Sequence, residues 1–99
     1  MAKYKATVDK KLQAVVPGYL EARRRELPEL FTFYATEDRE SLKAAAHKLA
    51  GSGHSYGLDR ISELGTKIET LSDTGDAAGV AAGLAELKDY IGNLEIIYE

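Results

Sequence analysis

Two side chains in this chain suit nucleophilic or acid–base work near neutral pH, His47 and His54. A free imidazole titrates at about 6.5, so near neutrality one ring nitrogen keeps an available lone pair. Such a ring can serve as a nucleophile, a proton shuttle or a metal ligand. The chain has no cysteine, which excludes disulfides, thiolate metal sites and a cysteine nucleophile. Two histidines in one short stretch with no fixed third ligand make a weak metal motif, and no metal site is expected. There is no glycine-rich nucleotide loop, so ATP binding is not expected either.

These rings need a scaffold, and the apolar spacing supplies one. Val8, Leu12, Val15 and Val16 recur at helical intervals, which predicts a short first helix over Thr7 to Val16. Pro17 suits the first turn of a second helix that runs to about Ala35, with Leu20, Leu27, Leu30, Phe31 and Tyr34 inward. Pro28 lies inside that pattern and is expected to kink it. Thr36 and Asp38 are both N-cap candidates for a third helix reaching about Tyr56, with Leu42, Ala45, Ala46, Leu49, Gly53 and Tyr56 inward and Gly57 as the stop. A fourth runs from Leu58 to about Ser72. Asp76 caps a fifth that continues from Ala77 to near Tyr98, on a seam of Val80, Leu84, Leu87, Ile91, Leu94 and Tyr98. No segment shows the alternation of a half-buried strand. The predicted fold is all-α: one domain over 1–99, with a capping segment (1–16) holding the short helix and an antiparallel four-helix bundle over 17–99.

Within the third helix, at about 100° per residue, His47 falls roughly 150° from the centre of the apolar arc. The ring therefore faces solvent, as do Glu40, Lys43, Gly51 and His54. Gly51 lies one turn later, where a side chain would lean back over the ring. A glycine there weakens the helix by about 1 kcal/mol relative to alanine. No packing demand explains it on the outer arc, so it favours close approach of a partner to the ring. Gly53 sits on the inner arc, where close helix packing explains it. Lys48 adjoins His47 and is either a solvated surface lysine or a charge that reaches the ring. Ala44, Ala46 and Ala50 leave a smooth surface, which suits docking but also follows from helix propensity.

The stretch Ala46-His47-Lys48-Leu49-Ala50-Gly51-Ser52-Gly53-His54-Ser55-Tyr56-Gly57 resembles the phosphoacceptor signature of histidine-containing phosphotransfer (HPt) domains. His47, Leu49, Gly51, Ser52, Tyr56 and Gly57 match it, and the whole chain resembles the family in its helical organisation. It departs at Ala50, where many members carry lysine; Lys48 is a candidate for that charge. The resemblance implies that His47 accepts a phosphoryl group from an aspartyl phosphate of a receiver domain and passes it to another receiver. The acceptor nitrogen would be Nε2, with Nδ1 held by an acceptor that fixes the tautomer. Glu69 is a candidate for that acceptor, and an ordinary solvated glutamate is the competing reading. Lys48, Gly51, Ser52 and Glu69 would then support the phosphoryl site, with Lys43 and His54 as further candidates. Mg²⁺ and its acidic ligands would belong to the receiver, so this chain would bind no cofactor and would be a carrier with no turnover of its own.

Net charge is -3, which favours neither nucleic acid nor an anionic membrane as the general partner. No apolar run approaches the roughly 20 residues of a membrane span, and the polar N-terminus does not resemble a secretory signal. A cytoplasmic monomer is expected, partnered by receiver domains and a hybrid histidine kinase. Arg23-Arg24-Arg25 either steers an acidic receiver surface or pairs with Glu21 and Glu26 on a solvated helix face. Two alternatives stand beside the carrier. One is an HPt-like module that binds a receiver or kinase without phosphotransfer. The other is the phosphoacceptor domain of a chemotaxis-type kinase; a start at Met1 and an end soon after the last helix favour a stand-alone protein over this one.

Overall fold

The computed structural model describes residues 3–99. It contains four α-helices: α1 (Val16–Ala35), α2 (Arg39–Ser52), α3 (Asp59–Thr74) and α4 (Ala77–Gly92). Each packs on two neighbours, α1 on α2 and α4, and α3 on α2 and α4. The core they enclose includes Leu20, Leu30, Leu42, Leu49, Ile61, Leu64, Ile68, Leu84, Leu87 and Ile91. Burying a side chain of this size contributes about 1.5–3 kcal/mol, so the interior rows hold the bundle together. Among the described residues, no helix is long and apolar enough to cross a membrane.

Helix boundaries follow from local chemistry. Asp38, not Thr36, caps α2, accepting from the Ser41 amide at 3.2 Å, and Asp76 caps α4 through the Gly79 amide at 2.9 Å. Gly57 and Gly75 end their turns with φ of 75° and 78°, values that glycine adopts without steric cost. Pro28 does not divide α1. In the turn that follows it, the Thr32 hydroxyl donates to the Pro28 carbonyl at 3.0 Å.

The ends of the chain correct the expected helices there. No helix spans Thr7 to Val16. Instead, β1 (Tyr4–Val8) is followed by a 3-10 turn at Lys10–Leu12. The C-terminal helix stops at Gly92, and β2 (Leu94–Tyr98) pairs in parallel with β1, Tyr4 against Leu94 through Val8 against Tyr98. The cause is an ambiguity of spacing. Leu94 and Tyr98 are four apart, which fits one helix face, but with Ile96 between them they also fit one face of a strand. Tyr4, Ala6 and Val8 repeat the same alternation toward the core. Tyr4 and Lys3 tie the clasp to α4 through Asp89, at 2.5 and 2.7 Å. Of the 1–16 segment, residues 1 and 2 lie outside the described residues.

The expected third helix also divides. It ends at Ser52, and His54–Tyr56 form a separate 3-10 turn. The His54 amide donates to the Ser62 hydroxyl at 2.7 Å, which diverts it from the helical ladder. Gly53 permits this crossing, since a Cβ there would lie 2.8 Å from both the Leu58 carbonyl and the Ser62 amide.

Candidate functional site

His47 sits on the outward face of α2 with its side chain 76% exposed. Its Nδ1 lies 2.9 Å from Glu69 Oε2 on α3. An ionised carboxylate can only accept, so this contact places the ring proton on Nδ1 and leaves the Nε2 lone pair facing outward. Glu69 is only 26% exposed and therefore confined beside α2.

A close contact between the helices makes this pairing possible. A Cβ on Gly65 would lie 2.5 Å from the Ala50 amide and 2.8 Å from the Ala46 carbonyl. Only glycine lets α3 approach α2 this closely. Glu69 is one turn along α3 from Gly65, so the same contact delivers its carboxylate to the ring. On the other side of His47, nothing lies within 4 Å of where a Gly51 Cβ would be. The space beside the ring is open along that direction.

A second cross-helix contact runs beside the first. Lys43, one turn before His47, places Nζ 2.7 Å from Asp73 Oδ1, one turn after Glu69. Positions 43 and 47 on α2 thus face 73 and 69 on α3 in reversed order. The bond to Asp73 raises the Lys43 pKa above its ordinary value, and Glu69 adds a weaker push in the same direction. Asp73 is held below the usual carboxylate value, first by Lys43 and then, more weakly, by Arg39.

An exposed imidazole with one nitrogen fixed and the other free is a nucleophile poised for an external electrophile. The Hpt domain family model matches residues 10–96 of the chain. The chain belongs to the Hpt family. Comparison with curated proteins and with solved structures gives no match. Hpt membership makes this a phosphotransfer module of two-component signalling, a class that works with receiver domains and histidine kinases.

The remaining candidates lie at varying distances from the ring. Lys48 lines a groove between α1 and α2 with Arg23, Glu26 and Glu29, on the opposite flank of α2 from Glu69. Ser52 is turned toward α1, where its Oγ lies 2.7 Å from the Tyr19 hydroxyl. Tyr19 in turn stacks on Tyr56 with ring centroids 4.2 Å apart, so part of the Hpt signature fastens α2 to α1. His54 lies on the 3-10 turn beyond α2, its Nδ1 2.7 Å from Asp59 Oδ1. Arg23 pairs with Glu26 at 2.6 Å and covers the Tyr19 ring, while Arg24 and Arg25 approach Glu21. Each of the three arginines therefore has a carboxylate partner on its own helix. Asp73 lies just past the expected end of the fourth helix at Ser72 and is not among the candidates read from the sequence. Its position four after Glu69 matches Lys43 four before His47 only once the register of the two helices is known.

Proposed function

We propose that this Hpt protein carries a phosphoryl group on His47 Nε2, accepting it from an aspartyl phosphate of one receiver domain and passing it to another. The observation that carries this reading is the Glu69 contact at Nδ1, which leaves the opposite nitrogen free beside the open flank at Gly51. In the forward step the Nε2 lone pair attacks phosphorus. The N–P bond forms as the P–O bond to the aspartyl group breaks, and the aspartate leaves as a carboxylate. The proton stays on Nδ1, where Glu69 stabilises the cationic ring that results. Mg²⁺ held by acidic residues of the receiver would supply the remaining charge neutralisation there, so the carrier contributes a positioned nucleophile and no turnover of its own.

The same reading takes residues 1–99 as one domain with its four helices antiparallel, working as a cytoplasmic monomer between a hybrid histidine kinase and its receivers. A second reading, docking without phosphotransfer, draws on Ala50, where many family members have lysine. One experiment separates them. Wild-type protein and His47→Gln are incubated with a panel of phosphorylated receivers, and acid-labile, base-stable phosphate is followed. The carrier reading expects label on wild type and none on the variant. Receiver binding without label would support the docking module, and label that survives His47→Gln would move the acceptor elsewhere.

A further inference from the structure

The Hpt signature usually brings a lysine to the phosphoryl site at the position held here by Ala50. The arriving group carries about two negative charges at neutral pH, so its stability on the ring depends on a nearby cation. Two lysines flank His47 on α2. Lys48 lines the α1–α2 groove with Glu26 and Glu29. Lys43 stands on the His47 side of the helix, against α3, one turn from the ring. Residues three or four apart on a helix are neighbours on its surface, so Lys43 is within reach of a group on His47.

Taking His47 as the acceptor, as above, we propose that Lys43 is the phosphoryl-binding cation of this protein and that Asp73 stores it. In the unmodified protein the ammonium rests on Asp73 at 2.7 Å. When the phosphoryl group reaches Nε2, Lys43 exchanges one carboxylate for the more highly charged phosphoryl oxygens. Asp73 is not left without a cation nearby, because Arg39 is already docked beside it, its Nη2 donating to the Asp73 carbonyl at 3.0 Å. Both lysine and aspartate are solvent-accessible, 46% and 66% exposed, so the exchange needs side-chain rotation and no opening of the core. It breaks no covalent bond. Asp73 therefore acts as a positioning residue that competes with the phosphoryl group for the same ammonium.

This competition predicts opposite effects from the two halves of one ion pair. Potassium phosphoramidate is the probe: Nε2 attacks its phosphorus, the donor N–P bond breaks and ammonia leaves, so no cognate receiver is required. Loading and hydrolysis rates are compared for wild type, His47→Gln, Lys43→Gln, Lys43→Arg and Asp73→Asn, with thermal unfolding of each as a check on folding. Lys43→Gln is expected to load roughly three- to tenfold more slowly and to lose its phosphate faster, the weight of one exposed charge on a dianion. Lys43→Arg should restore most of the rate. Asp73→Asn should load faster than wild type and hold its phosphate longer. The Lys43 ammonium resonance should move on phosphorylation of wild type and stay put in His47→Gln.

The failures are distinguishable. Label present on wild type and absent from His47→Gln, with Lys43→Gln loading at the wild-type rate, overturns the Lys43 assignment and leaves the acceptor reading standing. So does a slowing of Lys43→Gln and Asp73→Asn alike, because that marks a purely structural bridge. Absence of label at His47 in wild type overturns both.

Discussion

His47 and His54 each set Nδ1 against a carboxylate, Glu69 at 2.9 Å and Asp59 at 2.7 Å. By that contact alone the two rings are equivalent nucleophiles. Their supports are different. Glu69 comes from another helix and is 26% exposed, confined by the packing that Gly65 permits. Asp59 lies five residues from His54 in the chain and is 69% exposed. A local, solvated carboxylate gives up its partner to water at little cost, and exposed pairs of this kind contribute only about 0–1 kcal/mol. A carboxylate fixed by a helix contact keeps the ring oriented before any partner arrives. The bond length is shared; the preorganisation belongs to His47 alone.

The largest expected effect breaks this difference at its source. Gly65→Ala puts a methyl group against the backbone of α2, 2.5 Å from the Ala50 amide, where nothing flexible can yield. Overpacking of this kind costs about 1–3 kcal/mol and sometimes more. Urea denaturation should show that loss. Nitrogen NMR of the imidazoles should also show the His47 ring losing its fixed tautomer while the His54 ring is unchanged. A Gly65→Ala protein with undiminished stability and an undisturbed His47 ring would show that the close helix contact does not position Glu69.

Next is the carboxylate itself. If His47 is the phosphoacceptor proposed above, Glu69→Ala removes a hydrogen bond to a ring that would become cationic on phosphorylation, and such bonds contribute about 1.5–3 kcal/mol, or roughly ten- to a hundredfold in rate. Phosphotransfer to His47 should slow by that factor. Asp59→Ala should leave it unchanged, measured with the same phosphorylated receiver. Equal effects from the two variants would erase the distinction between a tertiary and a local support.

The contrast also explains what was legible in the sequence. The exposed His47, the open Gly51 and the inward rows of α2, α3 and α4 follow from helical period, which any single helix displays. Glu69 was readable only as a candidate, since its flank position says nothing about distance to another helix. Asp73 and the spacing role of Gly65 were invisible for the same reason: both depend on the register of two helices. The terminal strands were missed because Leu94 and Tyr98 satisfy both periods, and their pairing with Tyr4–Val8 joins the two ends of the chain. Ser52 was a site candidate by its place in the signature, and Tyr56 an inward residue of the same stretch. Contacts with Tyr19 show that Ser52 at the end of α2 and Tyr56 on the following 3-10 turn both hold to α1.

Gly51 sharpens the comparison at a smaller scale. Unlike Gly65, it has open space where a Cβ would be, so Gly51→Ala carries no steric penalty within the protein. It should stabilise the fold by about 0.5–1 kcal/mol, the helix cost of glycine relative to alanine. If the gap serves a docking partner, the same variant transfers phosphate more slowly from a receiver but loads normally from phosphoramidate. Slowing with both donors would instead place the effect in the ring.

The smallest effect concerns the second rung beside His47, where titration offers a test that leaves the fold intact. Asp73 is depressed below the ordinary carboxylate value of 3.8 by its bond to Lys43, with Arg39 adding to it, whereas Asp38 is lowered by its role as a helix cap on Ser41. A carboxylate with a lowered folded-state pKa contributes stability that is complete above its unfolded value and disappears as pH falls through the folded one. The Lys43–Asp73 rung should therefore be intact at neutral pH and release Lys43 only below about pH 4, the ordinary aspartate range. Carboxyl carbon NMR should show Asp73 titrating below the ordinary aspartate value, and Lys43→Gln should raise its midpoint toward that value. Were Asp73 to titrate at the ordinary aspartate value in the wild type, the rung beside His47 would be loosely held, and the difference between the two histidines would rest on Glu69 alone.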